Sequence, residues 1–282
     1  MINRAQEVRK LMDLTPEEVI ERAGEHLTVC DNLEALYIRF AEDIAEQILQ
    51  NNNRGKISRF ILPIGPTGQY AKLCKIIDQN DISLQKCWFF FMDEYCDENG
   101  NALKKTHPLS FKKTANELFL QELPDKCDIR EEQIFFPNEK NIGDLEDIIE
   151  DIGGIDMCFG GIGIHGHVAF NEPERGVKDS PPRKVRLNNF TITINAIRAH
   201  VGGNVENFPK EAYTLGMKQI LNAEKIRLYC RNGSPYDWAN TVLRITLLGT
   251  PNYDYPVTYI RDHPDYIVIT DRDTLQTPRN II

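Results

Sequence analysis

Five short apolar runs are spread along the chain, and glycine, proline or acidic residues follow them. They lie at residues 59–65, 87–92, 155–161, 225–230 and 266–270. Most of their positions are hydrophobic, whereas a strand with one solvated face would alternate hydrophobic and polar residues. The pattern therefore predicts five strands of a parallel sheet that is covered on both faces.

Helical periodicity occupies the chain around these runs. Residues 32–49 and 237–248 place apolar side chains at intervals of three and four, as one buried face of a helix requires. Strands that alternate with helices favour an open, doubly wound, Rossmann-like α/β fold of three layers, with a mainly parallel sheet. Residues 1–30 are predicted to form a helical arm, which leaves residues 31–282 as a single α/β domain.

Polar and glycine residues gather directly after the predicted strands. In an open α/β sheet, ligands bind outside the carboxyl ends of the strands. This rule selects residues 65–68, 93–94, 160–172 and 231–234. We expect these segments to meet at one edge of the sheet and to form a ligand site.

The charge of the chain narrows the classes of partner. Lys and Arg number 33 against 42 Asp and Glu, which gives a formal net charge of −9. This acidity argues against a general nucleic-acid binder, and no apolar run reaches the ~18 residues of a membrane-spanning helix. The first ten residues lack the apolar core of a signal peptide, so the cytoplasm is the expected location. An anionic substrate would need a local cluster of cations in this acidic protein.

The cysteines indicate no metal or redox motif. There are seven, they are widely spaced, and no CxxC pair occurs among them. The spacing predicts neither a zinc ribbon nor a thioredoxin motif, and reduced, buried thiols are the expectation.

The segment with the most chemistry is residues 160–173, which reads GGIGIHGHVAFNEP. Its four glycines allow the backbone to approach a ligand closely. His165, His167 and Glu172 could transfer protons near neutral pH. A zinc or iron site built from the two histidines and the carboxylate is an alternative, and a glycine turn with incidental histidines is another. No further ligand cluster accompanies the motif, so we predict no metal.

Two further segments follow predicted strands. Asp93 and Glu94 end an apolar run, where a carboxylate suits a general base, although Asp93 alone would equally suit a helix N-cap. Residues 65–68 form a Gly-Pro-Thr-Gly turn before a predicted helix, and such a turn can hold phosphate on backbone N–H groups. The turn lacks the Gly-Lys-Ser/Thr ending of a P-loop and the GxGxxG pattern of a dinucleotide site.

Together these segments resemble the glucosamine-6-phosphate deaminase family, within the superfamily shared with 6-phosphogluconolactonase. The family pattern LPTGxTP, MDEY, HPxSY and GGxGxDGHxAFNEP corresponds here to residues 62–68, 92–95, 107–111 and 160–173. Residues 212–217, AYTLGM, are similar to a further family segment, ALTVGV. The matches run in order from about residue 60 to 271, and the FNEP ending at 170–173 is specific to the deaminase branch.

The resemblance implies an activity and the residues that carry it. Glucosamine 6-phosphate would be converted to fructose 6-phosphate and ammonia, without a metal or organic cofactor. His167, held by Glu172, would assist ring opening, and Asp93 would move a proton from C2 to C1 through an enolamine. His165 occupies a position of the catalytic machinery. The implied substrate-binding residues are Gly65, Pro66, Thr67, Gly68, Glu94, Gly161, Arg198 and Arg231.

Several positions depart from the family pattern. His165 stands where the family has Asp, and an imidazole cannot supply a negative charge. The family's phosphate-binding Lys has no counterpart, because Tyr236 lies near that position. Arg198, aligned by a one-residue insertion, and Arg231 are the cations available in its place, although both also suit a solvated surface. Pro66 and Gly68 replace a small residue and Pro.

These departures keep alternative functions open. One is a divergent sugar-phosphate isomerase or lactonase that uses the same base on another substrate. Another is a sugar-phosphate-binding protein with weak catalysis. In every case the expected partner is a small sugar phosphate, with neither nucleic acid nor membrane. A homo-oligomer is compatible with the family, and the N-terminal arm would create or block an interface.

Overall fold

The computed structural model describes residues 3–232 and 237–282. The strands are β1 (Leu27–Cys30), β2 (Ser58–Leu62), β3 (Cys87–Phe91), β4 (Asp93–Tyr95), β5 (Ile134–Phe135), β6 (Met157–Gly161), β7 (Arg183–Arg186), β8 (Glu211–Thr214), β9 (Lys225–Tyr229) and β10 (Tyr266–Asp271). The α-helices are α1 (Arg4–Met12), α2 (Pro16–Ala23), α3 (Leu33–Asn53), α4 (Tyr70–Gln79), α5 (Phe111–Ala115), α6 (Leu145–Asp151), α7 (Asn189–Arg198), α8 (Met217–Leu221), α9 (Ala239–Leu248) and α10 (Arg272–Leu275). Within these residues no helix combines the length and the apolar character needed to cross a membrane.

A seven-stranded parallel sheet forms the centre of the protein, with the strand order β1-β10-β9-β6-β2-β3-β5. The five strands predicted from the apolar runs are confirmed as β2, β3, β6, β9 and β10. The chain adds strands on one side of β2 and then returns to build the other side from β6 onward. The order reverses between β2 and β6, and a ligand crevice is expected at the carboxyl ends of these two strands.

Each face of this sheet is covered by a separate hydrophobic core. Successive side chains of a strand point to opposite faces, so Phe89 and Phe91 enter the core beneath α3 and α4, whereas Phe90 enters the opposite core. The opposite core also contains the buried side chains of α9. Two buried faces explain why these strands are hydrophobic at nearly every position, and the three-layer α/β/α fold is confirmed.

A second, three-stranded antiparallel sheet lies beside the first, in the order β4-β8-β7. The chain passes between the sheets at Met92, whose N–H bonds Leu62 in the main sheet and whose carbonyl accepts from Leu215. Asp93 is the first residue after this transfer and lies opposite Thr214. The small sheet therefore carries Asp93 away from the core and toward the edge where ligands bind.

The N-terminal segment is helical over α1 and α2, but not up to residue 30. Residues 27–30, assigned above to the arm, form β1 and pair with β10 at the edge of the main sheet. These residues form a strand rather than a helix because they pair with β10, which would otherwise be an open edge of the sheet. The helices themselves are fixed to the body, since the Glu7 carboxylate accepts the Thr250 N–H at 2.7 Å and Leu11 and Met12 join the α9 core.

Candidate active site

A cavity of about 150 Å³ opens at the point where the strand order reverses. The turn after β2 contributes Gly65 and Pro66, and the end of β6 contributes Gly161. A Cβ at Gly161 would lie 2.5 Å from the Gly65 carbonyl oxygen and 2.9 Å from the Pro66 ring. Only glycine fits between the two loops. Gly161 therefore lines the cavity and also allows the two loops to pack closely together.

Asp93 lines this cavity from β4 and is 8 % exposed. Within the described residues its carboxylate accepts no hydrogen bond. Burial raises the pKa of Asp93 to about 8, and the adjacent Glu94 carboxylate adds to the rise. An uncompensated carboxylate at a cavity wall, with a pKa near neutrality, is suited to accept and return a proton.

His167 lines the same cavity from the loop after β6. Burial, together with His165 and Arg198, which both oppose a positive charge there, lowers the pKa of His167 to about 3. The imidazole is therefore neutral at pH 7, with one ring nitrogen able to donate and the other able to accept. Its Nδ1 is buried without a partner among the residues the structure describes.

Glu172 and His165 lie behind the cavity wall and are joined through Asn188. The Asn188 N–H donates to Glu172 Oε2 at 2.6 Å, while its side-chain nitrogen lies 3.0 Å from His165 Nδ1. The hydrogen bond from His167 to Glu172 that the resemblance implies is not formed: among the described residues, His167 Nδ1 and Glu172 Oε1 are both buried and have no partner. Burial lowers the pKa of His165 and raises that of Glu172, so neither readily gains charge in this setting.

Helix α7 connects Asn188, which contacts His165 and Glu172, to the opposite side of the cavity. Asn188 caps its N-terminus by accepting the Thr191 N–H at 2.9 Å, Asn195 lines the cavity from its middle, and Arg198 lines it from its last turn. One ten-residue helix therefore sets the spacing between the imidazole pair and a guanidinium.

Arg198 and Arg231 both line the cavity, and in the part of the chain that the structure describes neither is ion-paired with an acid. Burial lowers the pKa of Arg198, and the charge of Arg231 lowers it further. Arg231 donates a hydrogen bond to the Asn232 carbonyl at 3.1 Å, while its Nε is buried and has no partner among the described residues. Two guanidinium groups that repel each other in a cavity form a site for an anion.

The rest of the 65–68 turn lies beneath the cavity rather than at its surface. Thr67 and Gly68 are not among the lining residues. A Cβ at Gly68 would overlap the Tyr37 ring, and the same ring lies 5.6 Å from Arg231 Cζ. Gly68 thus lets Tyr37 pack closely, and Tyr37 supports Arg231 from behind.

Glu94 also lies away from the cavity. Its carboxylate is 1 % exposed and accepts hydrogen bonds from Ser110 Oγ, and from the N–H groups of Phe111, Lys112 and Tyr95, at 2.8–3.0 Å. Two of these N–H groups open α5. The structure therefore places Glu94 as a cap that joins β4 to α5, and this cap fixes the backbone next to Asp93.

Replacing Glu94 with Gln should weaken the fold. The amide presents N–H groups where the carboxylate accepts four bonds, so the free energy of unfolding should fall by about 2–4 kcal/mol. Urea unfolding measures it, and Glu117→Gln on the exposed side of the same segment should change it by less than about 0.5 kcal/mol. An unchanged free energy of unfolding together with a raised KM would instead return Glu94 to the substrate site.

Sequence reasoning missed several residues that line the cavity, chiefly Asn195, Phe170 and Trp238. Phe170 lies within the motif at residues 160–173 and Asn195 lies three residues before Arg198, but only the structure shows that both line the cavity. Trp238 lies within the helical pattern predicted for residues 237–248, which gives no sign that its side chain lines the cavity. Residues 233–236, which include Tyr236 at the position of the family Lys, lie outside the described residues.

The metal alternative finds no further ligands. Across residues 3–232 and 237–282, no three His, Cys, Asp or Glu side chains are grouped so that they could hold a metal ion. His165 and His167 face different surroundings, since one bonds Asn188 and the other borders the cavity. The chemistry that the site offers is proton transfer by Asp93 and His167 beside a binding site for an anion.

Comparisons with known proteins agree with this arrangement. No family model matches the sequence. Curated relatives include a glucosamine-6-phosphate isomerase of Candida albicans, 31% identical over 74% of this chain and 82% of its own, and a glucosamine-6-phosphate deaminase of Thermoanaerobacter pseudethanolicus, 27% identical over 86% and 90%. A solved monomeric glucosamine-6-phosphate deaminase superposes with a TM-score of 0.76 at 26% identity, covering 88% of this chain and 98% of that one. A 6-phosphogluconolactonase of Thermotoga maritima shares the fold at a TM-score of 0.63 and 17% identity.

Proposed function

The chain belongs to the glucosamine-6-phosphate deaminase family, and we propose that it converts glucosamine 6-phosphate to fructose 6-phosphate and ammonia. One observation carries the proposal: a buried carboxylate and a neutral imidazole line the same cavity as two arginines that are not ion-paired in the described structure. An aldose–ketose conversion of a phosphorylated amino sugar needs these three elements together.

The arginines account for the phosphate. Arg198 and Arg231 concentrate positive charge in an otherwise acidic protein, and an oxoanion relieves their mutual repulsion. The turn at Gly65 and Pro66 borders the same space. Anchoring one end of the substrate in this way orients the sugar toward Asp93 and His167.

Ring opening falls to His167. The anomeric hydroxyl must lose a proton and the ring oxygen must gain one, and a neutral imidazole can accept at one nitrogen and donate from the other. The low pKa of His167 keeps it in this neutral form over the physiological range. His165, in place of the family Asp, adds no negative charge that would stabilise an imidazolium, so His167 acts without a strong ion partner.

Asp93 carries the isomerisation. Its carboxylate takes the proton from C2 of the open-chain aldehyde, which gives an enolamine between C1 and C2. Return of that proton to C1 gives an iminium at C2, and water then replaces nitrogen, releasing ammonia and the ketose phosphate. The substrate's own ammonium group, held near Asp93, would favour the carboxylate form that this step requires.

The site residues bear on the assembly of the protein, and the cysteines bear on its location. The groups named here all come from one chain, so this part of the site needs no partner subunit. We place the protein in the cytoplasm, where all seven cysteines would stay reduced, as they are in the structure.

Ammonia release tests the proposal directly. Purified protein given glucosamine 6-phosphate should release ammonia and fructose 6-phosphate in equal amounts, measured by two separate coupled assays. Glucosamine without phosphate should react at least about 100-fold less efficiently, because it lacks the group that the arginines bind. Hydrolysis of 6-phosphogluconolactone without ammonia release would favour the lactonase alternative, and binding of glucosamine 6-phosphate without turnover would favour a binding protein.

A further inference from the structure

Trp238 lines the cavity, yet neither ring opening nor isomerisation uses its side chain. Its indole ring lies with its centroid 5.4 Å from Arg198 Cζ, so ring and guanidinium are in contact distance for a cation–π interaction. Its Nε1 is buried and has no hydrogen-bond acceptor in the described structure.

An indole N–H can only donate a hydrogen bond, and a buried donor without an acceptor destabilises the fold. Arg231 Nε presents a second such donor in the same cavity. Trp238, Arg231 and Arg198 thus line one cavity, and in the described structure the first two each carry a buried donor without an acceptor. A bound oxoanion would satisfy all three groups.

We propose that Trp238 is a phosphate-binding residue, whose Nε1–H donates to a phosphate oxygen while its ring holds Arg198 in place. This inference rests on the proposed function, because it assigns the phosphate of that substrate to the cavity. The terminal oxygens of a phosphate monoester can be shared among Arg198, Arg231 and Trp238. Helix α9 begins at Ala239, immediately after Trp238, so the positive end of its dipole adds to the attraction.

An aromatic ring lies beside each of the two arginines, but only one of the two rings carries an N–H group. Tyr37 lies 5.6 Å from Arg231 and Trp238 lies 5.4 Å from Arg198. Of the two rings, only Trp238 also borders the cavity. A purely supporting ring could be Phe, whereas a phosphate-binding residue needs the N–H, and Trp238→Phe separates these two roles.

Nuclear magnetic resonance of the intact protein tests the N–H directly. The chain has two tryptophans, so protein labelled with ¹⁵N at the indoles gives two signals, and Trp88→Phe assigns them. On titration with inorganic phosphate, the Trp238 indole proton should move downfield and the Trp88 proton, which lies in β3, should not. Saturable phosphate binding that leaves the Trp238 signal in place would overturn the proposal, and so would the absence of phosphate binding.

Affinity measurements complete the test. Trp238→Phe should raise the dissociation constant for inorganic phosphate, measured by calorimetry, by about tenfold or more, and raise KM for glucosamine 6-phosphate more than it changes kcat. Trp88→Phe is the matched control and should leave the dissociation constant unchanged. Unchanged phosphate affinity in Trp238→Phe would contradict the inference while leaving deamination intact. Phosphate binding through Trp238 in a protein that releases no ammonia would contradict the proposed function alone.

Discussion

Asp93→Asn should abolish deamination while making the folded protein more stable. The amide has nearly the shape of the carboxylate but cannot accept the C2 proton, so kcat should fall on the order of 10³-fold or more. Ammonia release under saturating glucosamine 6-phosphate measures this loss. Binding should persist, because Arg198 and Arg231 are untouched.

The gain in stability follows from the pKa of Asp93. Burial raises that pKa from 3.8 to about 8, so the folded state holds a proton that the unfolded state has released between these two values. The folded form is therefore favoured most below pH 4, and its stability falls as pH rises from about 4 to about 8. Asn cannot ionise, so Asp93→Asn should remove this part of the decline and raise stability at pH 7–8 on the order of 2 kcal/mol.

The same pKa predicts the pH dependence of the reaction. The free enzyme needs the Asp93 carboxylate, so kcat/KM should rise with pH toward about 8. Asp97→Asn is the matched control, since Asp97 is half-buried outside the cavity and hydrogen bonds from Asn101 and Asn99 lower its pKa. That variant should keep its activity and lose a little stability. Retained turnover in Asp93→Asn would assign the base to another group, and a lowered melting temperature would contradict the uncompensated burial.

The five inner strands of the main sheet were predictable because they repeat one strong signal, which the edge strands β1 and β5 lack. Phe89, Phe90 and Phe91 are each buried at 0 % exposure on alternating faces, which leaves a continuous apolar run in the sequence. The small sheet left no such signal. Strand β7 places Arg183 and Lys184 among its four residues, and β4 has only three, so neither length nor hydrophobicity marks them as strands.

The location of the site was predictable because ligands bind where the strand order of the sheet reverses. Asp93, His167, Arg198 and Arg231 come from four separate segments between residues 93 and 231, yet all border one cavity. Motif matching could not separate the lining residues from those behind them. Glu94 and Glu172 share motifs with Asp93 and His167, but backbone N–H groups occupy their carboxylates. Whether a carboxylate binds substrate or backbone depends on local geometry, which spacing does not encode.

Removing the two arginines should eliminate phosphate recognition. Arg198→Ala or Arg231→Ala should each reduce kcat/KM for glucosamine 6-phosphate by about 10²-fold, since a charge-assisted contact to phosphate is lost in each. Because we propose that both guanidinium groups bind one anion, the double variant should depart from the product of the single effects. A double-mutant cycle on kcat/KM measures this coupling.

Without phosphate, the unmodified protein should be less stable than the Arg198→Ala and Arg231→Ala variants. Arg198 and Arg231 line the same cavity and repel each other there, so each single substitution should raise the melting temperature in phosphate-free buffer. Added inorganic phosphate should raise the melting temperature of the unmodified protein and leave that of the double variant unchanged, because only a binding-competent site gains from the ligand. Arg22→Ala removes the same charge from an exposed helix pair and should alter neither response. If phosphate raised the melting temperature of the double variant as much as that of the unmodified protein, the anion would bind elsewhere. The acidic chain would then lack, at this edge of the sheet, the cations that its substrate needs.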